Sequence, residues 1–176
     1  SVEESMPAAL DAIATAVGAD RIGLLRRNIN DKTDATLYSF RCFSCYCRNQ
    51  HQCHKQTAEL ISEAITDNSG KLLAGTGVGR HISDFSQEIQ ANLRALGIKS
   101  LLIIPVFVHK KFWGCLEVHV LSENRHWHDF EISALELAAD IFGSMIERSN
   151  DFRQLVDYRD RLKLALDSAG LFLWEY

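Results

Sequence analysis

Hydrophobic positions along the chain switch repeatedly between a helical and a strand period. Within residues 5–17, Met6, Leu10, Ile13 and Val17 share one stripe, with Pro7 in the first turn and Gly18 just past the end, which predicts an amphipathic helix. Residues 21–27 predict a short strand, the polar stretch 28–34 a turn, and the aromatic-rich stretch 35–46 a second strand, together an antiparallel pair. Helical spacing returns at Leu60, Ile61, Ala64 and Ile65 and is ended by Asn68-Ser69-Gly70, after which residues 71–74 predict a short strand. Asp84 and Gln87 form a candidate capping box for a helix whose face carries Phe85, Ile89, Leu93 and Leu96, closed by Gly97.

Residues 98–108 are apolar on both faces, which predicts a core strand in the middle of a sheet covered on both sides. His109-Lys110 makes a tight connection into residues 111–121, where Leu116, Val118 and Val120 alternate with Cys115, Glu117 and His119. From Trp127 a helical pattern runs through Ile132, Leu135, Ala139, Phe142 and Ile146 and continues to Leu166, longer than one small domain needs. This order of elements predicts an α+β fold, an antiparallel sheet with helices on both faces.

Composition narrows the function classes. A chain of 176 residues with 19 basic and 23 acidic side chains carries a net charge of -4, which sets up no positive field for a phosphate backbone and excludes nucleic acid as the expected partner. The longest apolar run, 101–108, is far short of the ~20 residues that cross a bilayer, and no signal pattern opens the chain. Membrane contact is not expected from this segment. The 5 cysteines, an odd number, read as reduced thiols or ligands rather than disulfides, and point to a reducing cytoplasm.

Three strings carry a family resemblance. They are Gly97-Ile98-Lys99-Ser100-Leu101-Leu102-Ile103-Ile104-Pro105-Val106, then Lys110-Lys111-Phe112-Trp113-Gly114, then Trp127 ahead of an acidic helix that reaches Ile146-Glu147-Arg148. In order and spacing they resemble the C-terminal half of GAF domains, sensory modules of signalling proteins. The resemblance implies a GAF-like domain over residues 1–148 and a connecting signalling helix over 149–169. The string from Arg161 through Leu173-Trp174-Glu175-Tyr176 resembles the opening of a PAS domain, so 170–176 reads as the start of a truncated one. Proteins of this kind place a histidine kinase, a GGDEF-type cyclase or a similar output domain further along the same chain. A proline inside a strand, Pro105, is an objection to a central strand that GAF domains share.

Candidate chemistry lies in two places. Cys42, Cys45, Cys47 and Cys53, with His51 and His54, gather six soft or borderline ligands, as zinc, an iron-sulfur centre or a redox sensor needs. No paired C-x-x-C repeat is present, and buried thiols beside ordinary loop histidines are the competing reading. The polar stripe Cys115, Glu117 and His119 is the second place. GAF domains hold small ligands between the sheet and the shorter helices, so the resemblance makes these three, with Phe85, candidate ligand contacts. The competing reading is that Glu117 and His119 satisfy loop backbone groups. The glycine-rich run from Gly75 to His81 lacks the Lys-Ser/Thr ending of a nucleotide loop and reads as a flexible lid.

Specialised GAF activities leave few traces. The Cys-His pair of bilin-binding domains is replaced by Glu88-Ile89, the cyclic-nucleotide signature is missing after Phe85, and residues 79–97 lack the cysteine of free methionine sulfoxide reductases. A non-enzymatic module is therefore expected. On the long helix, Leu135, Phe142, Ser149 and Val156, with Ala138, Met145 and Phe152 between them, suggest a heptad seam and a parallel homodimer that also uses the N-terminal helix. Three functions remain in view: a sensor that binds a small molecule and signals through its last helix, a metal or redox centre on the cysteine cluster, and a dimerisation spacer that binds nothing.

Overall fold

A four-stranded antiparallel sheet forms the middle layer of the molecule, in the computed structural model that describes residues 2–27, 35–42 and 50–168, with side chains at 5–27, 36, 39–42 and 57–168. Its strands are β1 (Arg21–Arg27), β2 (Ala35–Cys42), β3 (Ser100–Val108) and β4 (Lys111–Val120), in the spatial order β2-β1-β4-β3. Helices α1 (Val2–Val17) and α5 (Asp129–Ser168) cover the back. The front is covered by α2 (Gln50–Asp67), α3 (Ser69–Leu73) and α4 (Gln87–Ala95). The α+β architecture expected from the sequence is therefore the one observed.

Strand alternation produces two cores. Ile22, Leu24, Leu102, Ile104, Leu116, Val118 and Val120 point back and pack with Met6, Leu10, Trp127, Leu135 and Phe142. Leu25, Leu101, Ile103 and Cys115 point forward and pack with Leu60, Ile61, Leu93 and Phe85. The His109-Lys110 connection is a tight hairpin with φ of 50° and 60°, the left-handed pair that matches the twist of the two strands it joins. Arg125 knots the back face together. Its guanidinium donates to the Val17 carbonyl at the end of α1 and to Glu131 in the first turn of α5, and it stacks over Trp127 at 4.7 Å.

Four expectations are corrected. Residues 71–74 are not a strand: Lys71 and Leu72 donate to the Asn68 carbonyl, and a helical turn satisfies these groups locally where no strand partner lies alongside. Helix α4 is capped by Ser86, whose hydroxyl accepts from Ile89, while Asp84 instead accepts from the His81 N–H in a 3-10 turn, Ile82–Asp84. Strand β3 is buried on both faces yet lies at the sheet edge, beyond the central β4. Its outer edge is covered by Val78, which exchanges both backbone bonds with Ile103 at 2.8 Å. Ile103 thus turns its N–H outward, and Pro105, two residues on, turns its donorless nitrogen the same way, so no bond to β4 is lost.

The fourth correction concerns α5. Leu135 and Phe142 are buried in the back core and Ala138 and Met145 pack against it, so this half of the expected seam serves the domain itself. The exposed apolar side chains of α5 share only Phe152 with the expected seam and otherwise comprise Leu137, Ile141, Leu155, Tyr158, Leu162 and Leu164, with Phe130 at the start of the helix. The last buried residue of the helix is Ile146. The expected PAS start at 170–176 lies outside the described residues.

Candidate functional site

The front face of β1 and β4 differs from the back of the sheet in burying charged side chains of its own strands. Because side chains alternate, Leu25 and Cys115 face each other across the two strands, then Gly23 and Glu117, then Arg21 and His119. The face thus runs from Arg27, bonded to Thr66 of α2, through the apolar Leu25-Cys115 pair to the polar far end. Opposite them, β2 brings Phe40 against Gly23 and Cys42 against Arg21.

Glu117 and His119 have side chains 1% and 0% exposed, and His119 Nε2 lies 3.5 Å from Glu117 Oε2. Among the described residues neither carboxylate oxygen and neither ring nitrogen has a hydrogen-bond partner. Phe40 sets its ring edge-on to His119 at 6.1 Å between centroids. Gly23 makes room for this arrangement: a Cβ there would sit 2.6 Å from Glu117 Oε1 and 2.8 Å from the Phe40 ring. Arg21 is also buried, and its Nε has no partner among the described residues. Burying a polar group without a hydrogen bond costs on the order of 1–3 kcal/mol by mutational measures, and more for a charge. Three such groups on one face of one strand pair are therefore a demand for a partner. The loop backbone that the sequence offered as that partner does not reach them among the described residues.

Cys115 lies beside this pair, and burial pushes its thiol well above the ordinary value, with the Glu117 charge pushing the same way and Arg27 opposing. A thiol so held stays protonated and serves as a small apolar wall, not as a nucleophile or metal thiolate. Phe85 is buried in the front core against Gly79, which lies on the Leu101 carbonyl of β3, across from His119 in the register. Of the cysteine cluster, Cys42 is half-buried at the end of β2 and free. Cys45 and Cys47 lie outside the described residues, as do the side chains of His51, Cys53 and His54 on α2. The glycine-rich stretch is no open lid at its centre. Gly79 adopts φ of 94°, and any Cβ would strike the Leu101 carbonyl and the Phe85 ring, so glycine is needed to bring this stretch onto the β3 edge.

A second cluster, unnoticed in the sequence, lies at the hairpin tip. His109 Nδ1 is 3.1 Å from Glu147 and Nε2 is 3.2 Å from Asp151, and the His109 N–H donates to the second Glu147 oxygen at 3.0 Å. Glu147 and Asp151 are one helical turn apart, the spacing that would have signalled a shared face. Only the docking of a hairpin onto α5 brings His109 between them. These are the described residues closest to a metal-ligand set. Each ring nitrogen already faces a carboxylate, so the geometry clamps the hairpin to the helix.

Known proteins agree with this fold. The family model for the GAF domain matches residues 1–146. A curated relative, the methanogenesis regulatory histidine kinase FilI of Methanothrix harundinacea (strain 6Ac), is 33% identical over 82 residues. That match spans 47% of this chain and 9% of the relative's length. Among solved structures, the photoproduct state of GAF3 from Slr1393 of Synechocystis sp. PCC6803 superposes with a TM-score of 0.72 at 19% identity, covering 88% of this chain and 99% of that one. A domain of a putative two-component sensor histidine kinase from Sinorhizobium meliloti 1021 gives a TM-score of 0.55 at 20% identity, covering 80% and 87%. At these identities the structural likeness establishes the fold alone.

Proposed function

The chain belongs to the GAF domain family, and on that premise we propose that it is a non-enzymatic sensory module of a longer cytoplasmic signalling protein. It binds a small ligand against the front of its sheet and passes the event to output domains through α5. The observation that carries this reading is the buried Glu117-His119 pair, whose four polar atoms have no hydrogen-bond partner among the described residues. A spacer that binds nothing has no reason to bear that cost on its central strand. A covalent bilin is not part of the proposal, since α4, which carries Glu88-Ile89, has no cysteine.

The histidine-kinase relative supports a kinase as the output, and the resemblance of residues 161–176 to a PAS opening is the ground for placing a PAS domain between. The exposed stripe on α5 supports pairing with a second copy of the chain: Leu155, Tyr158 and Leu162 follow one another at spacings of three and four and are 46–69% exposed. A parallel pair of α5 helices would bury them, and L155E/L162E then turns a dimer into a monomer by light scattering. Among the described residues no helix is long and apolar enough to cross a membrane.

Native mass spectrometry, repeated after denaturation, tests the central claim. The expected result is an additional organic mass on the folded protein, absent after denaturation and absent from E117L/H119L. Bound zinc or iron instead would transfer the function to the cysteine cluster. In the full-length protein, a double proline insertion beside Gln154 is expected to abolish the response while leaving ligand mass in place; an unchanged response would remove α5 from the mechanism.

A further inference from the structure

Resting on that reading of the front face, we infer that the ligand is a small zwitterion of the α-amino acid class, its ammonium group on Glu117 and its carboxylate on Arg21. The argument is one of charge and register. Glu117 is acceptor-only when ionised, so a partner for its two oxygens has to supply N–H or O–H donors. Arg21 is donor-only in every state, and its buried Nε has no hydrogen-bond partner among the described residues. The two sit on neighbouring strands, on the same face, staggered by one cross-strand pair: Arg21 opposite His119, and Glu117 opposite Gly23. Diagonal positions of this kind are about 7–8 Å apart between backbones, within reach of long side chains.

Two opposite buried charges at this stagger have not satisfied each other. A molecule that carries both complementary charges a few bonds apart satisfies both at once, and keeps the site neutral where a lone amine or a lone acid would leave one charge unmatched. His119 lies between them and serves whichever end its protonation favours, since its two nitrogens offer one donor and one acceptor when neutral. The rest of the wall suits a modest side chain. Phe40 closes over Gly23 at an edge, and Leu25 and Cys115 continue the face as apolar surface.

The test is a binding screen on the wild-type protein, first freed of bound molecules by unfolding and refolding. Calorimetry and thermal shift with the common L-α-amino acids are set against their decarboxylated amines and their deaminated acids. At least one amino acid is expected to bind saturably, and both halves of it at least about tenfold more weakly. E117Q is expected to weaken the amino acid about tenfold or more while leaving the deaminated acid unaffected; R21K, which keeps the charge but loses the fork, does the converse with the amine. Unliganded melting curves establish that each variant is folded. An amine binding as tightly as its amino acid, or an acid doing so, overturns the zwitterion and leaves the front-face site standing. No binding by any of the three classes also overturns it, and the organic mass carried by the untreated protein then decides separately whether the site holds a ligand at all.

Discussion

The two faces of the sheet are built from the same strands and obey opposite rules. Behind it, the apolar side chains of β1, β3 and β4 pack with α1 and α5, with Trp127 and Phe142 as the largest fully buried groups, and the buried Ser100 hydroxyl is bonded to the Glu123 and Arg125 backbone. In front, the same strands carry Arg21, Arg27, Glu117 and His119 into burial. The difference separates stability from function within single strands: Val118 holds the domain together and its neighbours Glu117 and His119 do not. A strand that alternates apolar with polar ordinarily shows its polar face to water. Here that face is covered, which converts an ordinary pattern into a site.

The comparison predicts mutational effects of opposite sign. Trp127→Ala or Phe142→Ala, behind the sheet, should lower the unfolding free energy by about 3–5 kcal/mol in denaturant titrations of the ligand-free protein. E117L/H119L, in front, should leave it unchanged or raise it by up to about 4 kcal/mol, because a buried pair without further partners is replaced by packing. A loss comparable to the Trp127 variant would mean that the front face is as structural as the back.

The smallest effect is in pH dependence, and it too divides by face. The Cys115 thiol titrates higher in the folded protein than in the unfolded chain, so its contribution is complete below the unfolded value and is lost as pH rises. Stability should therefore fall above about pH 8.5 with a slope of up to ~1.4 kcal/mol per pH unit, and Cys115→Ala should flatten that limb. On the back, burial alone would raise the Glu131 carboxyl, but the His128 N–H and the Arg125 guanidinium outweigh it and hold the group below its ordinary value. Its contribution is present above the unfolded value and is lost as pH falls below about 4, and Glu131→Gln should flatten the acid limb alone.

Much of this arrangement was legible in the sequence, and the failures share a cause. Periodicity placed β1, β4 and α5 and set Cys115, Glu117 and His119 on one face, since these depend only on which way successive side chains point. What depends on a remote partner was not legible. Residues 71–74 lacked a strand to pair with, β3 was covered by Val78 rather than by another strand, and Leu135 and Phe142 were claimed by the domain before any second helix. The same limit hid Arg21, an unremarkable strand-leading arginine until β4 is laid beside it, and His109, which acquires meaning only against Glu147 and Asp151.

The hairpin clamp sits at a particular point on α5. Ile146 is the last side chain of the helix held in the core, and His109 grips it at the next residue and one turn beyond. From Asp151 the helix continues to Ser168 for roughly 26 Å. In the proposed signalling role the clamp is a fulcrum and the segment beyond it a lever arm: a tilt of about 3° at His109 carries the far end through roughly 1.3 Å. The strand that bears Glu117 and His119 begins at that same fulcrum, so a displacement too small to disturb the packing of the domain is multiplied before it reaches whatever the helix touches next.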